Sequence, residues 1–146
     1  MIQRPRPRAH GRWHHVRVTG WMHIVDDETW PLPDEAADAP IDGSVWVGPG
    51  TQFGSYLASG CAGDEVQGLF SMRVEDSLTN PGFVDVQVVA VLNEATSCPN
   101  GDQDGIQIRR YFLAPGQSVN IRLDVPNAAE GGDLITFFYT IKNNVI

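Results

Sequence analysis

Residues 118–125 read Ser-Val-Asn-Ile-Arg-Leu-Asp-Val. Val119, Ile121, Leu123 and Val125 fall on one side of a period-two pattern, and Ser118, Asn120, Arg122 and Asp124 on the other, as in a strand with one buried face. Outward from this stretch the same period recurs. Val66–Glu75 places Val66, Phe70, Met72 and Val74 opposite Gln67, Ser71, Arg73 and Glu75. Ile106–Leu113 predicts a further strand, Ser44–Gly48 a short one, and Trp13–Val25 a first strand interrupted at Gly20. Phe83–Leu92 and Asp133–Lys142 are apolar on both faces, which predicts strands central in a sheet or an outer face covered by a partner. Asn80-Pro81-Gly82, Pro115-Gly116 and Gly131-Gly132 carry the residues that reverse a chain. Only Pro33–Ala39 reads as a single helical turn. The fold class expected is all-β: an antiparallel two-sheet β-sandwich, with a jelly roll among the strand orders the pattern allows.

The 146 residues suit one domain, divided here into an extended Arg/Pro arm at 1–12 and a sandwich at 13–146 that includes an acidic loop at 25–43. No apolar run approaches the ~20 residues of a membrane-spanning helix. The basic start has no apolar segment behind it, so a secretion signal is not expected.

Charge is distributed unevenly. The net charge of -8 combines five arginines and no acid in residues 1–23 with 18 acids against 5 bases in the rest. Arg4-Pro-Arg6-Pro-Arg8 is expected to be extended, since each proline fixes its own φ and disfavours helix in the residue before it. Arg4, Arg6, Arg8 and Arg12, with Trp13 and Trp30, are the candidate interface residues. Asp26, Asp27, Glu28, Asp34, Glu35, Asp38 and Asp42 supply seven acids without a base, and form the candidate segment to receive a neighbour's arm. A body this acidic repels phosphate, so nucleic acid is disfavoured as a partner.

Motifs for chemistry are sparse. Cys61 and Cys98 sit in separate loops, where a disulfide and two free thiols are both open readings. Asn100, Asp102 and Asp104 resemble the start of a calcium loop, but Tyr111 stands where the bidentate acid belongs, so an ordinary hairpin loop is favoured. The histidines His10, His14, His15 and His23 do not have the spacing of a zinc site. Gly48–Gly54 has neither the lysine nor the following helix of a phosphate cradle. No nucleophile elbow or metalloprotease motif occurs, and every histidine precedes residue 24. Neither a cofactor, a metal nor an enzymatic activity is expected. Trp46 in Val-Trp-Val is expected in the core, whereas Trp13 and Trp30 border charged segments and suit an interface.

A short all-β chain with a basic arm at Arg4–Arg17, strands over about 43–142, an acidic body and no catalytic constellation resembles the decoration, or cement, proteins of tailed-phage and related virus heads. The resemblance implies β-sandwich or jelly-roll subunits, often trimers, that bridge neighbouring major capsid proteins through arms and sandwich surfaces. It further implies a place on the virion capsid surface after synthesis in the host cytoplasm. Partners would be the major capsid protein, copies of the chain itself, or both, with no membrane. The alternative is a carbohydrate- or receptor-binding β-sandwich module of a phage tail or fibre or of a cell-surface protein, with a small metal-dependent or cupin-like enzyme as a further rival.

Overall fold

The computed structural model describes residues 13–28, 31–98, 100–129 and 131–145. Among them there is no helix. The strands are β1 (His14–Asp26), β2 (Glu35–Val47), β3 (Phe53–Ala62), β4 (Val66–Asp76), β5 (Val84–Ser97), β6 (Asn100–Leu113), β7 (Ser118–Pro126) and β8 (Leu134–Val145). They form two antiparallel sheets, ordered β2-β1-β8-β7 and β3-β4-β5-β6. The fold is thus a two-sheet β-sandwich. Every hydrogen-bonded neighbour is also a neighbour in sequence except β1 and β8, which bring the two ends of the chain together. The order is therefore a meander that turns back on itself, and the Greek-key crossing of a jelly roll is absent.

Alternation accounts for the core. On β1, Val16, Val18, Met22 and Ile24 are fully buried while Arg17, Thr19 and Trp21 face outward. On β4 the buried side is Val66, Phe70, Met72 and Val74, as its pattern predicts. Phe70 meets the first sheet near the middle, its ring 6.2 Å from Phe137 and edge-on to Tyr139 at 5.1 Å. Tyr139 and Tyr111 share a hydroxyl–hydroxyl hydrogen bond of 2.7 Å, and burial together with that bond raises the Tyr139 pKa.

Four expectations are corrected. The 25–43 segment is not a loop: β1 runs through Asp26 and β2 begins at Glu35, so the connection between them shrinks to 27–34. Pro33–Ala39 makes no helical turn, and in place of a short strand at Ser44–Gly48, Ser44–Val47 is only the end of a 13-residue strand. The first half of β2, Glu-Ala-Ala-Asp-Ala-Pro, is poor in strand-forming residues, but it pairs with β1 along its whole length. Pro40 is tolerated because β2 is an edge strand within its sheet. Residues 100–105 do not form the hairpin loop; they belong to β6 and pair with β5 across register shifts at Leu92/Asn93 and Glu94/Ser97.

β3 does not stand out in the sequence because its alternation runs against expectation. Its outward side holds Phe53 and Leu57, and its inward side holds Gly54, Tyr56, Ala58 and Gly60. Gly54, Ala58 and Gly60 are small, and with Tyr56 seated over Gly43 they let β3 approach β2 of the other sheet. A Cβ at Gly43 would overlap the Tyr56 ring, and a Cβ at Gly60 would overlap Ala39. The Asp42 amide donates to the Tyr56 hydroxyl at 2.9 Å across this seam.

Candidate interaction faces

The outer face of the second sheet carries two adjacent apolar rows. Strand register places Leu57, Ser71, Val89 and Ile108 in one row and Ser59, Leu69, Val91 and Ile106 in the next. Leu57 is 74% exposed, Ile108 49% and Ile106 42%, so the rows are open to water. A solvated sheet face normally alternates to polar side chains, and a contiguous apolar patch marks a contact surface. Beyond these rows the chemistry changes. Arg73, Gln87 and Arg110 lie beside Glu75, Asp85 and Phe112, lining a groove of about 580 Å³. The Arg73 guanidinium sits 4.6 Å above the Phe53 ring, and Phe83 stacks on Phe112 at 4.8 Å.

The outer face of the first sheet is polar and aromatic. Trp21 on β1 stacks on Phe138 of β8 with centroids 4.8 Å apart and planes 25° apart. Arg122 lies 5.7 Å from the Phe138 centroid. A shallow groove of about 360 Å³ beside them is lined by Thr19, Asn120 and Thr140. A Cβ at Gly20 would overlap the Phe138 carbonyl oxygen, so β1 lies too close to β8 there for any larger residue. A hydrogen bond of 2.6 Å joins His23 Nδ1 to Asp38 Oδ1, and an ion pair joins Arg17 to Asp42 at 2.5 Å. Trp46 is on this face, 49% exposed and 4.5 Å from the His15 ring, which corrects its expected burial. Its neighbours Val45 and Val47 take the inward positions.

The two ends of the sandwich differ. At the β1 start, His14 is fully buried, its Nδ1 3.0 Å from Asn143 Oδ1 and its Nε2 3.5 Å from Asp76 Oδ1. The Asn143 amide donates towards the carbonyls of Gly82, Leu113 and Ala114 at 2.9, 3.1 and 3.2 Å. At the β1 finish, Asp26, Glu28 and Glu35 converge under the β3–β4 turn, near Asp133. Burial and the carboxylates of Glu28, Asp133 and Glu65 push Asp26 up to about 7. Asp27 is also raised, through the Asp34 carboxyl beside it. Cys61 and Cys98 form a disulfide with Cα atoms 6.5 Å apart, tying β3 to the β5–β6 turn at this end. That settles the choice between bridge and free thiols.

The sequence-derived candidates fare unevenly. Arg4, Arg6, Arg8, Arg12 and Trp30 lie outside the described residues. Trp13 is 40% exposed and packs over Gly48. The seven acids do not form one strip: Asp38 and Asp42 are paired on the first sheet's outer face, whereas Asp26, Glu28 and Glu35 crowd together at one end. Asp102 is exposed on β6, Asp104 is half-buried there with its carbonyl accepting from the Ala128 amide, and the Asn100 side chain lies outside the described residues. Sequence reading missed Trp21 and caught the second sheet's apolar rows only in part, through the two-sided apolar character of Phe83–Leu92, which supplies Val89 and Val91. The parity of β1 marks Trp21 as outward, but the rows emerge only once four strands are set in register. Compared with known proteins, the chain matches no protein-family model and no curated protein in sequence.

Proposed function

We propose that this protein is a structural, non-enzymatic component of a large assembly, of the kind represented by virus-head decoration proteins. The observation that carries the reading is the apolar outer face of the second sheet. Leu57, Ile106 and Ile108 project from a well-packed sandwich where solvent-facing polar residues are the norm. Covering that face with a neighbouring subunit removes apolar surface from water at about 25 cal/mol per Å². The adjoining rows, with Arg73 and Arg110 in one and Glu75 and Asp85 in the next, supply the polar rim that gives such a contact its orientation. In a lattice each contact is modest, and many copies together hold through multivalency.

The test is sedimentation of material from the native source, with mass spectrometry of the fraction that contains the chain. Co-migration in many copies with a particle far larger than the chain is expected, and Ile108→Asp should abolish it while leaving the sandwich folded. A few copies per particle would point to a tail or fibre. A small free species would overturn the reading.

One observation favours a second reading. The Trp21–Phe138 stack, with Asn120, Arg122 and Thr140 beside it, has the flat aromatic surface and flanking polar groups suited to sugar rings. If this face takes carbohydrate, a panel of soluble glycans should change the tryptophan fluorescence, and Trp21→Ala should remove that change.

A further inference from the structure

Asp26 ends β1, Glu35 begins β2, and the register sets the two directly opposite one another. Like charges so placed repel. Glu28 follows two residues after Asp26, and one carboxylate oxygen from each of the three lies within 4.8 Å of the other two. Gly63, in the β3–β4 turn with φ +59°, closes the group from the other sheet, since a Cβ there would overlap both Asp26 Oδ2 and Glu35 Oε2. Asp26 is only 3% exposed, and its Oδ2, aimed into this group, has no hydrogen-bond partner. No ion pair with a basic side chain reaches the three acids among the described residues. A buried carboxylate oxygen with neither donor nor cation is costly.

We propose that Asp26, Glu28 and Glu35 form a binding site for a hard divalent cation of the calcium class. The donor set is all carboxylate oxygen, which favours calcium, magnesium or manganese over zinc and copper. Calcium accepts irregular, flexible oxygen coordination at ~2.3–2.6 Å, which suits three carboxylates offered by two strands and the connection between them, whereas magnesium demands a near-ideal octahedron at ~2.1 Å. Asp27 and Asp133, close by, add to the negative field without occupying the group. This site does not depend on the proposed assembly role, and its test is read on the isolated chain.

The full chain, freed of metal with a chelator, is titrated with CaCl2 by calorimetry and by thermal melting in physiological salt. A one-site isotherm is expected, with Kd on the order of 0.1–1 mM as in extracellular calcium modules. Calcium at ~10 times Kd should raise Tm by about 3–6 °C. Asp26→Asn should raise the Tm of the metal-free chain, because it removes a buried like charge, and should weaken calcium binding by on the order of tenfold or more. Glu35→Gln should weaken it as well, while Asp102→Asn, on β6, should leave affinity and Tm response unchanged. Absence of an isotherm with the unaltered chain overturns the site, as does a calcium response that survives in both Asp26→Asn and Glu35→Gln. Equal binding of MgCl2 overturns the assignment to the calcium class.

Discussion

The two ends of the sandwich are closed by opposite means. At the β1 start, a neutral carboxamide organises the closure: Asn143 faces His14 and three backbone carbonyls, from a position with no exposed surface. At the β1 finish, like charges meet instead, and a disulfide holds the neighbouring strands together. Asn127 is the nearest counterpart of Asn143 there, donating to Glu94 at 2.6 Å and Asp133 at 3.3 Å. A buried polar group is well tolerated when its hydrogen-bonding capacity is met and costly when it is not. The first end is therefore organised around a carboxamide that uses its own hydrogen-bonding capacity fully, with His14 Nε2 and Asp76 Oδ1 facing each other at 3.5 Å, whereas the second crowds carboxylates together and retains a demand for positive charge.

Breaking the first end should have the largest effect. Asn143→Ala removes the donor to Gly82, Leu113 and Ala114 and strips His14 Nδ1 of its partner. Several buried groups lose their hydrogen bonds at once, so the expected loss is ~4 kcal/mol in urea unfolding. Hydrogen exchange should show the backbone around Gly82 and Leu113 opening first. A loss below ~1 kcal/mol would mean that the carboxamide network does not hold this end. At the opposite end, replacing Cys61 and Cys98 with alanine frees a link spanning 37 residues. The loop-entropy estimate for that span gives a loss of ~3–4 kcal/mol, with increased exchange concentrated in β3 and the β5–β6 turn. Exchange spread evenly over both sheets would show that the bridge acts on the unfolded chain alone.

How much of this was legible in the sequence depends on what each residue does with its alternation. β4 and β7 are clear because one face is apolar and the other polar, so a single strand carries its own orientation. β3 is obscure because its inward residues other than Tyr56 are small for the sake of contact with β2, a requirement visible only when Gly43 and Tyr56 are seen together. Trp46 misleads in the same way: in Val-Trp-Val the flanking valines, not the largest side chain, take the core. The acids at 26–42 stand out by composition, but their division into exposed pairs and a crowded group around the buried Asp26 follows from the β1–β2 register. The seam-forming glycines and the apolar rows of the second sheet are properties of four strands at once, and no window of sequence contains them.

The smallest effect is expected between the two ends, on the outer face of the first sheet, and it serves as the control for the comparison. Arg17 and Asp42 approach to 2.5 Å, yet their side chains are 46% and 63% exposed, so water and salt screen the pair. Arg17 also lies beside Lys142 in the strand register, so its removal relieves one repulsion while ending one attraction. Arg17→Ala should therefore change stability by no more than ~0.5 kcal/mol, and the difference should vanish in 1 M salt. The Asp42 amide keeps its bond to Tyr56 in that variant, so the β2–β3 seam is undisturbed. A loss above ~2 kcal/mol would mean that charge on this acidic molecule acts strongly even where water reaches it. The contrast drawn between its ends would then reflect net charge rather than burial. A small loss leaves burial as what sets the Asp26 end apart, because the same carboxylate chemistry is then nearly neutral on the open face and costly under the β3–β4 turn.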